Sequence, residues 1–231
     1  MEHRLILASS SPRRQELLVG LGLPFEVVVP AGIDESRVAG SAFAVCRELA
    51  LRKAGWVLAR RPPGGPTPIV IGCDTVVAVV RGGQERILGK PADADDARRM
   101  LRVLSGQTHR VLSAVAIRRP DAPPRVETEI SHVTLRALRD EDIDAYVASG
   151  EPLDKAGAYG IQGCGGSLIA SIRGCYLNIV GLPLLLLARL LDVALPPACS
   201  CLAHPLQTGS DGCRADPSPP PSPPELEIAV R

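Results

Sequence analysis

The 231-residue chain has almost no net charge, no CxxC pair, no unbroken apolar run of membrane-spanning length and no phosphate-loop signature. Each absence removes a class of protein. With 26 Lys and Arg against 25 Asp and Glu the formal charge is +1, which gives no reason to expect a polyanion track for DNA, RNA or an acidic membrane. A small anionic ligand stays open, because a few clustered basic groups bind one on a neutral protein. The cysteines, Cys46, Cys73, Cys164, Cys175, Cys199, Cys201 and Cys213, are odd in number, and the start Met1-Glu2-His3-Arg4 is not an apolar signal segment. Both features argue against a disulfide scaffold and for a cytoplasmic protein. The apolar stretch Ile179 to Leu195 is interrupted by Gly181, Pro183, Arg189 and Asp192, so no membrane span is expected. His3, His109, His132 and His204 lack metal-ligand spacing, and Cys199-x-Cys201 lacks a second pair, which argues against a zinc site.

What is present is an alternation of strand and helix signals. Arg4 to Ala8 predicts a buried strand, and Ser9-Ser10-Ser11-Pro12 a helix start, with serine as cap and proline in the first turn. Phe25 to Val29 predicts a second strand, Ser41 to Arg60 a long helix and Pro62 to Pro68 a loop. Ile69 to Val80 is the most apolar strand signal, with Asp74 in its middle. Arg81 to Gln84 predicts a turn into a short return strand ending at Leu88. Helices are expected over Asp93 to Leu104 and Asp140 to Ser149. Strands are expected over Val111 to Ile117 and Val126 to Leu135, joined by a proline-bearing surface loop. A glycine-rich segment, Gly157 to Gly166, leads to strands over Ser167 to Ile172 and Tyr176 to Val180, then a helix after Pro183. The mixture predicts an α/β domain over residues 1–196, followed by a proline-rich, disordered tail over 197–231.

Chemistry is expected at four places. At Ser9, Ser11, Arg13 and Arg14 a phosphate would meet free helix N–H groups, hydroxyls and guanidinium forks; a plain serine cap with solvated arginines is the alternative. Asp74 is costly to bury unless something meets it, so it either activates water, holds a divalent ion, or is a paired structural acid. Lys90, in Gly89-Lys90-Pro91, and Lys53, on the long helix, are candidate phosphate cations or solvated surface lysines. Asp34 and Glu35 are candidate metal-binding or supporting acids, or simply loop acids. In the polar segment Gly150 to Gly163, Gln162 offers donor and acceptor to a base edge, and Lys155 can balance phosphate or Glu151.

Six segments, in order, resemble the Maf-like family: Leu7-Ala8-Ser9-Ser10-Ser11-Pro12-Arg13-Arg14, Ile71-Gly72-Cys73-Asp74-Thr75-Val76-Val77, Gly89-Lys90-Pro91, Leu104 to His109, Gly150 to Gly163, and Asn178 to Leu184. The resemblance spans about Arg4 to Leu195. It implies an elongated, two-lobed α/β fold around a twisted mixed β-sheet, inosine-triphosphatase-like, with a cleft between the lobes and a homodimer as partner state. It also implies hydrolysis of a nucleoside triphosphate to monophosphate and pyrophosphate with Mg²⁺ or Mn²⁺, with Asp74 as proton acceptor. Arg13, Thr75 and Gln162 stand where the family's subgroups differ, and they resemble the group acting on dTTP and UTP. Under that resemblance Ser9, Ser11, Arg13, Arg14, Lys53 and Lys90 surround the triphosphate. Action on 7-methyl-GTP or a modified pyrimidine nucleotide, or a nucleotide-binding regulator of cell division without turnover, are the alternatives.

Overall fold

Apolar residues on both sides of a strand mean that both of its faces are covered, and this holds for the first strand, β1 (His3–Ala8). Ile6 and Ala8 pack into one core and Leu7 into another on the opposite face. The computed structural model describes residues 3–35, 38–61 and 66–195; the expected tail over 197–231 lies outside them. After β1 come α1 (Pro12–Val19), β2 (Phe25–Val27), α2 (Ala42–Ala59), β3 (Thr67–Arg81), β4 (Gln84–Leu88), α3 (Ala94–Leu104), β5 (Thr108–Arg119) and β6 (Ala122–Leu135). Then follow α4 (Asp140–Ala148), three short 3-10 turns between Glu151 and Leu168, β7 (Ile169–Arg173), α5 (Tyr176–Val180) and α6 (Leu184–Leu191).

The strands form a mixed sheet in the order β2-β1-β3-β5-β6-β7, with β4 also paired to β3. β1 runs parallel to β2 and β3, while the β3–β4, β3–β5, β5–β6 and β6–β7 pairs are antiparallel. β3 is the axis of the domain. One flank pairs with β5 from Val70 to Ala78. The other flank is shared: β1 covers Thr67 to Gly72 and β4 covers Val77 to Arg81. Among the described residues, Cys73 to Val76 therefore have no strand beside them on that flank.

α2 covers one face of the sheet. Its buried stripe of Val45, Cys46, Leu49, Ala50, Ala54 and Val57 follows the 3.6-residue period. The alanines and Gly72 let it lie unusually close to β3: a Cβ on Gly72 would fall 2.2 Å from the Ala50 carbonyl oxygen and 2.9 Å from Ala54 Cβ. Ser41 accepts from the Ala44 N–H, and Glu85 on β4 accepts from the Ala42 N–H at 2.8 Å, so two side chains satisfy the start of α2. The opposite face carries two separate cores. One lies under α6 and around Leu18, Ile71, Val115 and Ile117. The other joins Val77, Val79 and Val111 to α3, α4 and Tyr159.

Sequence expectations are corrected at several places. The segment Tyr176–Val180 is a short helix, not a strand. It ends at Gly181, whose φ of 128° suits glycine, and its Asn178 amide donates to the Val111 carbonyl and Ser131 Oγ at 3.0 and 2.9 Å. The link between β5 and β6 is a tight turn at Pro120 and Asp121, and Pro123 and Pro124 belong to β6. Proline is tolerated there because β7 pairs with β6 only from His132 to Leu135, leaving an edge beside a register irregularity. β3 starts at Thr67 rather than after Pro68, and β2 stops at Val27.

His109 illustrates how the second core constrains a polar group. Its ring is 2% exposed, stands edge-on to Tyr159 and shares a 2.7 Å hydrogen bond with the phenol. Burial pulls its pKa down to about 4. The folded state therefore holds fewer protons than the unfolded one between about pH 4 and 6.5, and stability falls as pH drops through that window. The expected loss is about 3 kcal/mol at the acid end. Urea unfolding at stepped pH checks this: His109→Gln should flatten the acid slope relative to wild type, and an unchanged slope would refute it.

Candidate active site

The uncovered flank of β3 is where the candidate residues meet. β1 and β4 both end toward it, from opposite directions, so that the chain after Ala8 and the chain after Leu88 converge there. The resulting cleft holds about 560 Å³ and is lined by Ser9, Ser11, Arg13, Asp74, Lys90 and Gln162, among others. Asp74 points to the α2 side of the sheet and Thr75 to the other, as strand alternation requires.

Asp74 is 5% exposed. Its Oδ1 lies 2.5 Å from Lys53 Nζ, and the same ammonium is 2.7 Å from Glu35 Oε1. Burial raises the Asp74 pKa above the ordinary carboxylate range, with Lys53 and Arg14 opposing the rise. Burial also works against the Lys53 charge, but Asp74 and Glu35 outweigh it and the ammonium is held firmly protonated. The close approach at Gly72 brings this about, since Lys53 lies one residue before Ala54 on the helix that packs there.

Arg13 and Arg14 have different surroundings although adjacent. Arg14 donates from Nε to the Gly181 carbonyl at 2.9 Å, from Nη1 to the Cys73 carbonyl at 2.9 Å and from Nη2 to Thr75 Oγ1 at 3.0 Å. The Cys73 carbonyl lies on the part of β3 without a strand neighbour, and the guanidinium takes that partner's place. Thr75 continues to Ser113 Oγ at 2.8 Å, and Ser113 donates to the Asn178 carbonyl at 2.9 Å. This polar seam separates the two cores of that face. Arg13 instead faces the mouth of the cleft, 3.0 Å from Asp154.

Ser11 is the α1 N-cap as expected, yet its side chain makes no cap bond; Ser9 Oγ accepts from the Ser11 N–H at 3.1 Å. No acid sits in the first turn of α1, so its positive end faces the cleft uncompensated. Lys90 is exposed at the rim, and among the described residues no carboxylate pairs with it. Lys155 donates to the Glu151 carbonyl at 2.7 Å and to Asp154 at 2.6 Å, so it reaches Glu151 through the backbone and not through the carboxylate.

The structure thus gathers Ser9, Ser11, Arg13, Arg14, Glu35, Lys53, Asp74, Thr75, Lys90, Lys155 and Gln162 around one opening. Asp34 does not line it; it borders a shallower neighbouring hollow beside Trp56. Ser113, Asn178, Tyr146 and Asp154 were not singled out from sequence. The available signals among them are a polar asparagine inside the apolar run Leu177 to Val180 and the place of Asp154 in the polar segment Gly150 to Gly163. Among the described residues no group of three or more His, Cys, Asp and Glu could enclose a metal, and no helix is long and apolar enough to cross a membrane.

Known proteins are similar to this chain in sequence. A dTTP/UTP pyrophosphatase of Anaeromyxobacter dehalogenans strain 2CP-1 is 50% identical over 194 residues, covering 83% of this chain and 94% of that protein. One of Symbiobacterium thermophilum is 52% identical over 182 residues, covering 78% and 89%. One of Salmonella typhimurium strain LT2 is 49% identical over 181 residues, covering 78% and 87%. The sequence profile of the Maf-like proteins matches residues 4–194, which takes in every strand and helix described except the first residue of β1, and the chain belongs to that family.

Proposed function

We propose that this chain is a dTTP/UTP pyrophosphatase, hydrolysing the bond between the α and β phosphates to give the nucleoside monophosphate and pyrophosphate. The observation that carries the reading is the buried Asp74 carboxylate, set in the opening of the sheet and facing the cationic ends of β1 and β4. The names of the relatives support the same substrates.

In this mechanism the triphosphate lies along the rim, against the α1 N-terminus, Ser9, Ser11, Arg13 and Lys90. Arg13 exchanges Asp154 for phosphate oxygens. Asp74 accepts a proton from the attacking water, and its raised pKa makes it a stronger base than an ordinary aspartate. Lys53 holds Asp74 in place. Arg14 acts through the backbone, fixing the Cys73 carbonyl and Thr75 beside the reacting region. Gln162 and Thr75 select the pyrimidine.

The family implies Mg²⁺ or Mn²⁺, and the donor set fits such an ion. Asp74 and Glu35 already converge on one cation, Lys53, and they offer the hard oxygen ligands these ions take. Two carboxylates are what Mg²⁺ commonly uses when substrate phosphates and water complete its shell. When bound, it would neutralise phosphate charge and act as a Lewis acid.

The test is a panel of dTTP, UTP, CTP, GTP and 7-methyl-GTP with Mg²⁺, resolving mono- and diphosphate and pyrophosphate. Monophosphate and pyrophosphate from dTTP and UTP are expected. Preference for 7-methyl-GTP would overturn the specificity, and no turnover with Mg²⁺ or Mn²⁺ would overturn the enzyme. A pH profile tests the base. Activity requires ionised Asp74, whose pKa burial raises, so kcat/KM falls on the acid side. In Lys53→Gln the ammonium that opposes this rise is gone, and the acid limb moves to higher pH. An unmoved limb would mean that Asp74 is not the titrating group.

A further inference from the structure

Gln162 sits at the cleft without a hydrogen bond of its own among the described residues, so something else must fix its direction. The turn that carries it is built around one carboxylate. Glu151 Oε2 accepts from the Cys164 N–H at 3.0 Å, and Oε1 accepts from the Gly165 N–H at 3.2 Å and from the Tyr146 hydroxyl at 2.9 Å. The Tyr146 oxygen in turn accepts from the Gly160 N–H at 3.0 Å. Backbone donors on both sides of Gln162 therefore end on the same carboxylate–phenol pair.

The glycines of this segment are shaped to it. A Cβ on Gly163 would lie 2.9 Å from Glu151 Oε2, and one on Gly165 would lie 2.2 Å from the Gly160 carbonyl and 2.5 Å from the Tyr146 oxygen. Gly163 has a φ of 73°, which removes any ordinary side chain from the position after Gln162. No lysine or arginine among the described residues pairs with the Glu151 carboxylate; Lys155, the nearest in sequence, goes to its carbonyl and to Asp154. A carboxylate that accepts backbone N–H groups, and not a cation, is acting as an anchor for a turn.

We infer that Glu151, with Tyr146, is a positioning residue for base selection: it holds the turn so that the Gln162 amide meets the pyrimidine edge in one orientation. The inference rests on the proposed dTTP/UTP activity. The chemistry explains why orientation matters. Uracil and thymine present an N–H donor beside a carbonyl acceptor, whereas cytosine presents an acceptor beside an amino donor. An amide fixed one way round distinguishes them, and an amide free to turn over does not.

The test compares kcat and KM for UTP, dTTP and CTP in wild type, Glu151→Gln, Tyr146→Phe, Gln162→Ala and the Glu151→Gln/Gln162→Ala double variant. In Glu151→Gln an amide NH₂ must face backbone N–H donors, and the turn loses its anchor. The UTP-over-CTP ratio of kcat/KM should fall about tenfold, mainly through a higher KM for UTP, with kcat at saturation changing less than about threefold. Tyr146→Phe should move the ratio the same way by less. In the Gln162→Ala background Glu151→Gln should have no further effect on the ratio.

A ratio unchanged in both single variants would overturn the inference, as would a drop in kcat alike for every nucleotide or full additivity in the double variant. If Glu151→Gln fails to fold, Tyr146→Phe, which loses only a hydroxyl, decides the same comparison. A wild-type protein that releases no pyrophosphate from UTP or dTTP would sink the activity itself, and the inference with it. Selective wild-type turnover with unmoved variants would sink the inference alone.

Discussion

Asp74→Asn should lower kcat for pyrophosphate release by about a thousandfold, while KM for the nucleotide stays within a few fold. Asparagine keeps the shape of the side chain but cannot take a proton from water. It also leaves Glu35 in contact with Lys53, so the ammonium is not stripped of every partner. The replacement removes a carboxylate that burial disfavours, which limits the cost to folding. Single-turnover measurement with UTP separates the loss of chemistry from any change in product release. Near-native turnover giving the same products would show that another group activates the water. A melting temperature within a few degrees of wild type would confirm that the loss is chemical.

Gly72→Ala should damage the protein in two ways at once. The new methyl would lie 2.2 Å from a backbone oxygen of α2, and no side-chain rotation relieves a clash between backbone atoms and Cβ. Overpacking of this kind costs about 3 kcal/mol, or roughly 6–12 °C in melting temperature for a domain of this size. The helix must also lift away from β3, and it carries Lys53 with it. Any protein that still folds should therefore show the higher acid limb expected for Lys53→Gln. Calorimetry reads the first effect and the pH profile the second. A stable Gly72→Ala protein with a wild-type profile would mean that the tight seat of α2 does not set the Lys53–Asp74 distance.

Much of this arrangement is legible in the residues. An acid within Ile69 to Val80 has to face something polar, and serines followed by Pro12 have to start a helix. The remainder depended on neighbours that local sequence does not reveal. Arg13 and Arg14 are adjacent and chemically identical, yet about 100° apart around α1, so one turns to the cleft and the other clamps two carbonyls. Tyr176 to Val180 has strand-like composition, but the Asn178 amide is recruited by β5 and β6 and the segment coils to deliver it. Glu151 reads as one polar residue among many, because the N–H groups it gathers lie 13 and 14 residues further on and reach it only after three tight turns form. Lys53 and Asp74 are 21 residues apart and meet only because α2 recrosses β3.

The bare stretch of β3 from Cys73 to Val76 has a consequence for how the gene can change length. The opening is as wide as the distance between the end of β1 and the end of β4, so extending either strand by a residue or two would zip the sheet shut over the reacting groups. Inserting a single residue within the stretch would be no gentler, because it would swap the faces on which the acid and the threonine emerge. Insertions are instead admissible at the hairpin tip between Arg81 and Gln84, where Gly82 and Gly83 turn in solvent and a longer loop can leave the β3–β4 register in place. Catalytic competence in this protein is thus partly a matter of counting residues along two strands.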